Sequence, residues 1–472
     1  MSGTYVDKRV PKVVWGLFCA IALVLVLVPS VGMVWARTDT TTENRELAPA
    51  PTLTHEDGTF NVNFLSDAGT YFNDHFAFRN ELVAVNAHAR ALVGASATDQ
   101  VVVGSDGWLY YGGTLNDYLG RSVLSDRSLA SVAHNLKLVQ GYVENKGAAF
   151  AFAIAPNKNT LYDEHMPPYY VRSTDASNAE RLKLLLQQAD IHYVDLFDLI
   201  GSQDEVLYLR RDTHWDNRGA LLAANALLQA VGKNAVPVDS SSPVICDDFV
   251  GDLQDMLYPG EGATEPNYYY EGVHEQASAE GSVNWRYEQG SDVTDSLVQT
   301  AGAGTGALYM FRDSFANALL PFMAASFENA TFSKLVPYNI PAIAQSGANA
   351  VIIERAERHI PDLATNPPFL PAPQMKLSSG VLNNAHEAAA ELDVSKEGSY
   401  WVVRGTVDEP LDPDARLYLF VERGPSDAVV FDPFWLSFEN ESGEVTADNG
   451  LLAYIPTAAV DAETAAIRVF VK

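Results

Sequence analysis

Hydrophobic residues first occur as one long run near the N-terminus. Residues 13–36 comprise 24 positions without a charged side chain, and as a helix they would extend roughly 36 Å, enough to cross a bilayer core of about 30 Å. Lys8, Arg9 and Lys12 precede the run, so the positive-inside rule predicts a cytoplasmic N-terminus and an exported remainder. We expect a single-pass anchor in the cell membrane; the alternative is a cleaved signal peptide.

From about residue 125 the pattern changes to short, fully apolar runs separated by amphipathic helices. Strands are expected at 148–156, 192–197, 206–209, 307–311, 331–336 and 349–354, and helices at 129–143, 178–190, 217–231 and 315–327. Such runs are typical of parallel strands covered by helices on both faces. We therefore predict an α/β domain over residues 125–362, with a doubly wound parallel sheet in a three-layer sandwich.

The segments around this domain have other patterns. Residues 60–93 have helical periodicity, and residues 240–304 are rich in Gly, Ser, Asp and Tyr, as lids and binding loops often are. Near the C-terminus apolar residues alternate by two, which predicts a β-sandwich. The predicted organisation is a cytoplasmic tail (1–12), a transmembrane anchor (13–36), a polar stalk (37–59), the main domain (60–365), a proline-rich linker (366–373) and the β-sandwich (374–472).

Composition narrows the classes of function. The chain has 60 acidic and 31 basic side chains and a formal charge of −29, so a nucleic-acid partner has no electrostatic support. Of its two cysteines, Cys19 lies inside the apolar run and Cys246 far outside it, so no internal disulfide is expected. No Cys/His cluster indicates a metal site, and we predict none.

Two polar segments, RDTHWDNRGA at 211–220 and FRDSFANALL at 311–320, each follow a predicted strand and open a helix. This is the sheet edge at which α/β proteins hold functional groups. Ser314 would stand at a tight strand-to-helix turn, the position of a nucleophile. Asp212 and His214 are two residues apart, so in an extended segment the carboxylate can fix the imidazole tautomer. The structural alternatives are a helix N-cap for the serine and a packing role for the histidine.

Six segments, in this order, resemble the AlgX/AlgJ-type alginate O-acetyltransferases and the related DHHW proteins, which carry an SGNH hydrolase-like domain. They are ENRELAPAP (43–51), NDHFAFRN (73–80), VVVGSDGWLYY (101–111), APNKNTLY (155–162), RDTHWDNRGA and FRDSF. The resemblance covers roughly residues 40–360 and implies a triad of Ser314 as nucleophile, His214 as base and Asp212 as its partner. Such proteins typically acetylate exported polysaccharides and receive the acetyl group from a multi-pass membrane acyltransferase.

The sequence departs from the SGNH pattern where an oxyanion hole is expected. Arg312 replaces the usual Gly before Asp-Ser, and the strand at 349–354 leads into RAER rather than Gly-x-Asn. The N–H of Ser314 is one expected oxyanion donor. Asn157 or Lys158, just after the strand at 148–156, could supply another.

Lys158, Tyr162 and Arg312 are further candidates for the site, and each has an alternative role. Lys158 and Tyr162 could bind substrate, or could equally be a solvated lysine and a packed tyrosine. Arg312 either pairs with Asp313 or lines the cleft.

We therefore expect an extracytoplasmic O-acetyltransferase that acts on an exported or cell-surface polysaccharide through an acyl-serine. Every step is acid–base and nucleophilic chemistry, so no cofactor is expected. The expected partners are the glycan acceptor and an integral-membrane acyl donor. The alternatives are a carbohydrate esterase that uses the same triad, and a non-catalytic glycan-binding scaffold of a polysaccharide export complex.

Overall fold

The structure is a computed structural model that describes residues 12–35, 47–55, 58–91, 96–274, 285–290, 292–377, 380–424, 427–441, 443–460, 462 and 465–472. The chain divides into two compact units. The first comprises Met1–Gly112, Arg210–Asp212 and Phe249–Glu265, and the second comprises Gly113–Leu209, Thr213–Asp248 and Pro266–Lys472. Residues 1–11 of the predicted tail and 37–46 of the predicted stalk lie outside the described residues.

The described helices are α1 (Lys12–Gly32), α2 (Phe64–His75), α3 (Arg79–Ala91), α4 (Leu115–Tyr118), α5 (Asp126–Asn145), α6 (Lys158–Leu161), α7 (Asn178–Gln188), α8 (Leu196–Gly201), α9 (Asn217–Ala230), α10 (Asp252–Leu257), α11 (Leu320–Ser326), α12 (Ile343–Ser346) and α13 (Ile360–Thr365). The described strands are β1 (Val101–Val103), β2 (Leu109–Tyr111), β3 (Ala149–Ala155), β4 (Tyr193–Val194), β5 (Val244–Val250), β6 (Thr264–Tyr269), β7 (Trp285–Gln289), β8 (Leu297–Gly302), β9 (Ala307–Phe311), β10 (Asn329–Ser333), β11 (Ala350–Ala356), β12 (Gln374–Met375), β13 (His386–Ala388), β14 (Ala390–Glu397), β15 (Tyr400–Val407), β16 (Leu417–Gly424), β17 (Asp427–Phe431), β18 (Phe434–Glu439), β19 (Val445–Pro456) and β20 (Ala466–Val471).

The first unit holds the apolar N-terminal helix and a small core. Within α1, the 20 residues Val13–Gly32 have a mean hydropathy of 2.5, so the helix is long and apolar enough to cross a membrane. A signal sequence would have the same character. The small core includes Ala87 on α3, Leu109 on β2 and Leu253 on α10.

A seven-stranded sheet with the order β4-β3-β11-β9-β10-β8-β7 forms the centre of the second unit. The five strands from β4 to β10 are parallel, whereas β8 and β7 are antiparallel to their neighbours. The sheet is therefore mixed, and the prediction of a wholly parallel sheet is wrong for these two strands. Only a short connection joins β7 to β8, and such a connection suits antiparallel neighbours, because parallel strands need a long crossover.

Helices pack on both faces of this sheet, because side chains alternate along each strand. On β3, Ala151 and Ala153 belong to the core shared with α8, α9 and α11. Phe150 and Phe152 belong to the opposite core, shared with α5 and α7. Both phenylalanines are at most 1% exposed, and the burial of such a side chain contributes about 1.5–3 kcal/mol.

Several predicted elements differ from those observed. Residues 206–209 form no strand, and only an isolated bridge joins Tyr208 to Trp215. The strand expected at 192–197 ends after two residues, because Asp195 caps α8 by accepting hydrogen bonds from two backbone N–H groups. The helix expected at 315–327 is a 3₁₀ turn, Phe315–Asn317, followed by α11 with a proline in its first turn.

The segment 240–304 contains regular structure and is not a plain loop. It includes β5, α10, β6, β7 and β8, and the last two extend the central sheet. Residues 275–284 of this segment lie outside the described residues.

The C-terminal region is rich in strands, as expected. Its two antiparallel sheets have the orders β12-β17-β16-β20-β13 and β14-β15-β19-β18, and they enclose an apolar core that includes Leu419 and Trp435. These strands pack directly on α5. The Asn135 side chain donates to the Trp435 carbonyl (2.9 Å) and accepts from its N–H (3.0 Å), while the Arg127 guanidinium lies 3.9 Å from the centre of the Trp435 ring.

Candidate active site

Ser314 and His214 lie within hydrogen-bond distance of each other. Ser314 follows β9 by three residues and precedes the 3₁₀ turn, and His214 precedes α9 by three residues. Ser314 Oγ and His214 Nε2 are 2.9 Å apart, and both residues are half-buried. A hydroxyl at this distance can pass its proton to a neutral imidazole, which is the first requirement of an activated serine.

The turn that carries Ser314 is fixed by its neighbour Asp313. One carboxylate oxygen of Asp313 accepts from the N–H of Phe315 (2.9 Å) and the other from the N–H of Ala356 (2.6 Å). Because Ala356 ends β11, the carboxylate ties the serine turn to the adjacent strand. Two charge-assisted bonds of this kind hold the serine turn against β11.

Glu354 lies beneath the same turn. It is 0% exposed, and its Oε2 accepts from the N–H of Asp313 at 3.2 Å. Burial raises the pKa of Glu354 well above its usual range, and the neighbouring Asp313 carboxylate raises it further. Both effects favour the protonated, neutral form of Glu354.

Arg312 is also 0% exposed. Its guanidinium donates to Asn317 Oδ1 (2.6 Å) and to the carbonyls of Val293 (2.7 Å) and Asp295 (3.0 Å). Burial lowers its pKa to about 10. These contacts are with the protein itself, so Arg312 positions the serine turn against the segment before β8.

The segment of His214 is held on both sides. Its carbonyl accepts from the N–H of Leu209 at 3.2 Å, and its ring meets that of Phe315 edge-on, with centroids 4.7 Å apart. Trp215 donates from Nε1 to the Phe315 carbonyl at 3.1 Å. Asp216 caps α9 by accepting from the N–H groups of Arg218 and Gly219. The imidazole is thus packed against the residue that follows the candidate nucleophile.

Asp212 belongs to the first unit and is 4% exposed. Its Oδ2 accepts a 2.8 Å hydrogen bond from the N–H of Asp252, the first residue of α10. A carboxylate at a helix N-terminus is stabilised in its charged form. The main chain on its N-terminal side is held by Glu265, which accepts from the N–H groups of Arg210 and Arg211.

Asn157 lies between β3 and α6 and is 1% exposed. Its main-chain N–H donates to Glu357 Oε2 (2.8 Å), which also accepts from the Thr160 hydroxyl (2.7 Å). Neither Nδ2 nor Oδ1 of the Asn157 amide has a hydrogen-bond partner of normal length among the described residues. A buried amide without a partner is uncommon and is available to a ligand.

Lys158 and Tyr162 occupy the next turn. Lys158 is 4% exposed and donates from Nζ to the Leu209 carbonyl at 3.0 Å, so it is not a solvated loop lysine. Tyr162 is half-buried, and its hydroxyl accepts from the N–H of Leu207 at 3.1 Å. Burial raises its pKa. Both side chains therefore fasten the segment that leads to His214.

Sequence reasoning did not single out Asp313, Glu354 and Glu357. The first adjoins Ser314 and could have been found by position alone. The two glutamates stand in and just after an apolar strand, in the sequence NAVIIERAE. An acidic residue in or next to such an apolar run rarely points to solvent, and this pattern could have identified the two glutamates.

The family model of the SGNH hydrolase-like domain of acetyltransferase AlgX matches residues 101–289. The match includes Asp212 and His214 and ends before Ser314. A probable alginate O-acetylase AlgJ from Pseudomonas syringae pv. tomato is 28% identical over 180 residues, which are 37% of this chain and 44% of that protein. The chain thus spans less than half the length of this curated relative.

Two solved structures are similar to parts of the chain. The O-acetyltransferase domain of Pseudomonas putida AlgJ is 18% identical, with a TM-score of 0.36 over 59% of this chain and 94% of that one. A DHHW family protein from Eubacterium siraeum is 19% identical, with a TM-score of 0.39 over 56% of this chain and 92% of that one. At these scores the structural likeness adds nothing to the sequence matches. On the sequence matches, the chain resembles the AlgX/AlgJ proteins, and its residues 101–289 are similar to the SGNH hydrolase-like domain of acetyltransferase AlgX.

Proposed function

We propose that this chain is a serine O-acetyltransferase that acetylates an exported or cell-surface polysaccharide. The observation that carries the proposal is the 2.9 Å distance between Ser314 Oγ and His214 Nε2. This pair can form and resolve an acyl-serine, and the matched relative is described as a probable O-acetylase. Ser314 is the proposed nucleophile and His214 the proposed base.

In the first half-reaction, Ser314 Oγ attacks the carbonyl carbon of the acetyl donor while its proton passes to His214 Nε2. The new C–O bond gives a tetrahedral oxyanion. When this intermediate collapses, the bond to the leaving group breaks and His214 returns the proton to that group. The products are an acetyl ester on Ser314 and the deacylated donor.

In the second half-reaction, a sugar hydroxyl gives its proton to His214 and attacks the acetyl ester. The bond to Ser314 Oγ breaks, and His214 returns the proton to the serine. Water in place of the sugar would give acetate, so exclusion of water from the acceptor position decides between transfer and hydrolysis.

Asp212 is the proposed orienter of His214, from its place two residues earlier in the chain. The hydrogen bond from Asp252 supports an ionised carboxylate there. The N–H of Ser314 is the proposed first oxyanion donor. The Asn157 amide is the second, because its buried atoms have no partner of normal length among the described residues.

We propose that α1 anchors the chain, with the catalytic domain outside the cytoplasm, and that an integral-membrane acyltransferase supplies the acetyl group. The length and hydropathy of Val13–Gly32 support the anchor. An anchored enzyme would stay beside such a donor. The two C-terminal sheets are a proposed glycan-binding region.

The test uses the full chain in detergent with an activated acetyl ester. Intact mass spectrometry follows the protein, and acetate release is measured with and without glycan oligosaccharides. Ser314→Ala is compared with Ser202→Ala, which changes an exposed serine. We expect one added acetyl group in the wild type and in Ser202→Ala, none in Ser314→Ala, and faster transfer to sugar than to water.

Two other outcomes would change the assignment. Acetate release without transfer to any sugar would favour a carbohydrate esterase. Equal behaviour of wild type and Ser314→Ala would reject the triad and leave a non-catalytic glycan-binding scaffold as the better account.

A further inference from the structure

A cavity of about 230 Å³ lies in the second unit, beside the strand ends that carry the candidate active site. Its walls come from the loop after α4, from the segment that leads into α7, and from residues next to β3 and β11. The lining side chains that matter here are Asp117, Thr160, Arg172, Asp175, Glu180 and Glu357. Pockets for drug-sized ligands span about 300–1,000 Å³, so this cavity suits a smaller group, such as one sugar ring.

The cavity wall is fastened to the serine turn through β11. Glu357 follows β11 directly and accepts from both Asn157 and Thr160. The preceding residue, Ala356, donates its N–H to Asp313, the neighbour of Ser314. Arg358 makes a second link, because its guanidinium lies 5.5 Å from the ring centre of Phe315 and acts electrostatically on Asp117.

Asp117 lines the cavity and is influenced by two features of its surroundings. Burial is the larger influence and raises the pKa of Asp117 to about 6, while the neighbouring Asn157 side chain acts as a hydrogen-bond partner and lowers the pKa. The oxygens of the Asp117 carboxyl group can accept hydrogen bonds from hydroxyl groups of a ligand.

The charges of the lining select against acidic ligands. The cavity has four carboxyl side chains, on Asp117, Asp175, Glu180 and Glu357, and Arg172 is its basic residue. That guanidinium already lies 3.5 Å from the Asp163 carboxylate. A carboxylate ligand would meet more carboxyl groups than basic groups, because the one guanidinium in the lining is also close to Asp163. The chain as a whole, with its net charge of −29, adds to this repulsion.

Exposed apolar side chains line the cavity or lie close in sequence to residues that line it. Val123, in the lining, is 61% exposed, and Tyr169 and Val171, just before Arg172, are 61% and 74% exposed. Tyrosine offers a flat apolar face with a polar edge. Exposed apolar groups next to a polar pocket are typical of binding sites.

We propose that this cavity is a subsite for one uncharged sugar residue of the acceptor glycan, held through its hydroxyl groups by Asp117 and Glu357. The inference rests on the proposed function and names its substrate class: the acceptor is not a polyuronate.

The test measures binding without chemistry. Calorimetry on the full chain in detergent, with no acyl donor, compares oligosaccharides of equal length built from glucose, mannose or galactose with uronate oligomers. We expect an uncharged oligomer to bind at least about tenfold more tightly than the uronate oligomer. Asp117→Ala should weaken that binding about tenfold, since it removes a hydrogen bond to a charged group, whereas Asp204→Ala, which removes an exposed carboxylate, should not.

Thermal unfolding checks that Asp117→Ala is folded. Equal or tighter binding of the uronate oligomer, no binding of any uncharged oligomer, or unchanged binding by folded Asp117→Ala would each overturn the inference. Failure of the proposed function is distinguishable, because it appears as the absence of acetyl-Ser314, whatever the binding result. If Ser314 is acetylated while no uncharged sugar binds, only the subsite is rejected.

Discussion

His214 Nε2 and Ser314 Oγ lie 2.9 Å apart although 100 residues separate them in the chain. Phe315, which follows Ser314, helps to place both residues. The Phe315 ring lies against the imidazole of His214, and the Phe315 carbonyl accepts a hydrogen bond from Trp215 Nε1. The pair is therefore built into the core around the sheet edge and does not depend on two mobile loops meeting.

Replacement of His214 by Gln should lower kcat for the activated ester about 10²–10⁴-fold, because the serine proton loses its acceptor. KM should change little, since the acetyl group does not need the imidazole to bind. His386→Gln is the control, because that histidine is 60% exposed and pairs with Glu409. Equal loss in both variants would point to instability rather than catalysis.

Asp212→Asn should lower kcat by about 10³–10⁴-fold while the protein stays folded, because an amide cannot fix the proton-accepting tautomer of His214. The hydrogen bond from Asp252 can be kept by the amide oxygen. The burst of acetyl-Ser314 measures acylation, and circular dichroism checks that the variant is folded. Full activity of Asp212→Asn would remove this aspartate from the proposed triad.

Arg312→Lys should destabilise the protein by about 3 kcal/mol, because one ammonium group cannot reach the separated acceptors that the guanidinium contacts through two of its nitrogens, so buried groups are left unpaired. The formation of acetyl-Ser314 should slow with unchanged KM, as expected for a positioning residue. Denaturant unfolding and burst kinetics measure the two effects. Arg286→Lys, at a side chain 79% exposed, should show neither.

Glu357→Gln should change how stability depends on pH. Burial raises the pKa of Glu357 from 4.5 to about 7, so its favourable contribution is complete below about pH 4.5 and is lost as the pH rises to about 7. The wild type should lose roughly 3 kcal/mol through this group across that window, and the glutamine variant should not.

The measurement is urea unfolding of the wild type and Glu357→Gln at pH 4.5 and pH 8. The exposed Glu397 provides the control variant, Glu397→Gln, which should follow the wild type at both values. If Glu357→Gln also follows the wild type, the buried glutamate is not the titrating group.

Asn135→Ala should cost about 2–4 kcal/mol, since it leaves the buried N–H and carbonyl of Trp435 without their partner. Fluorescence and far-UV circular dichroism should still report one common transition, because the C-terminal sheets and α5 share this contact. Gln188→Ala, on the exposed side of α7, should change stability by less than about 0.5 kcal/mol. Separate unfolding of α5 and of the C-terminal sheets in the wild type would contradict a shared unfolding unit.

Local patterns were sufficient to predict the strand before Ser314 and the helix after His214. The apolar run at 307–311 became β9 with the same bounds, and the helix at 217–231 became α9, which ends one residue earlier. In both cases the information lies in residues next to one another, such as the cap Asp216. The proposed roles of Ser314, His214 and Asp212 stay predictions.

Long-range pairing was not predictable in this way. β8 has the sequence LVQTAG, whose polar residues suggest a loop, but pairing with β10 and β7 makes it part of the sheet. Residues 206–209 show the reverse, because an apolar run without a neighbouring strand forms only one bridge. The cavity beside Glu357 also depends on segments far apart in sequence, so no single motif could indicate it.

The contact between Asn135 and Trp435 also decides what a deletion of residues 374–472 would do. Such a truncation would uncover the polar groups of α5 that now face the sheets, among them Ser128 at 3.0 Å from Ser437 and Asn135 itself. In the shortened protein, polar groups that are buried in the full chain would be exposed on the surface. Loss of activity after that truncation would therefore report the loss of packing between α5 and the sheets. Point substitutions on the solvent side of the sheets are needed to test whether the sheets bind a glycan.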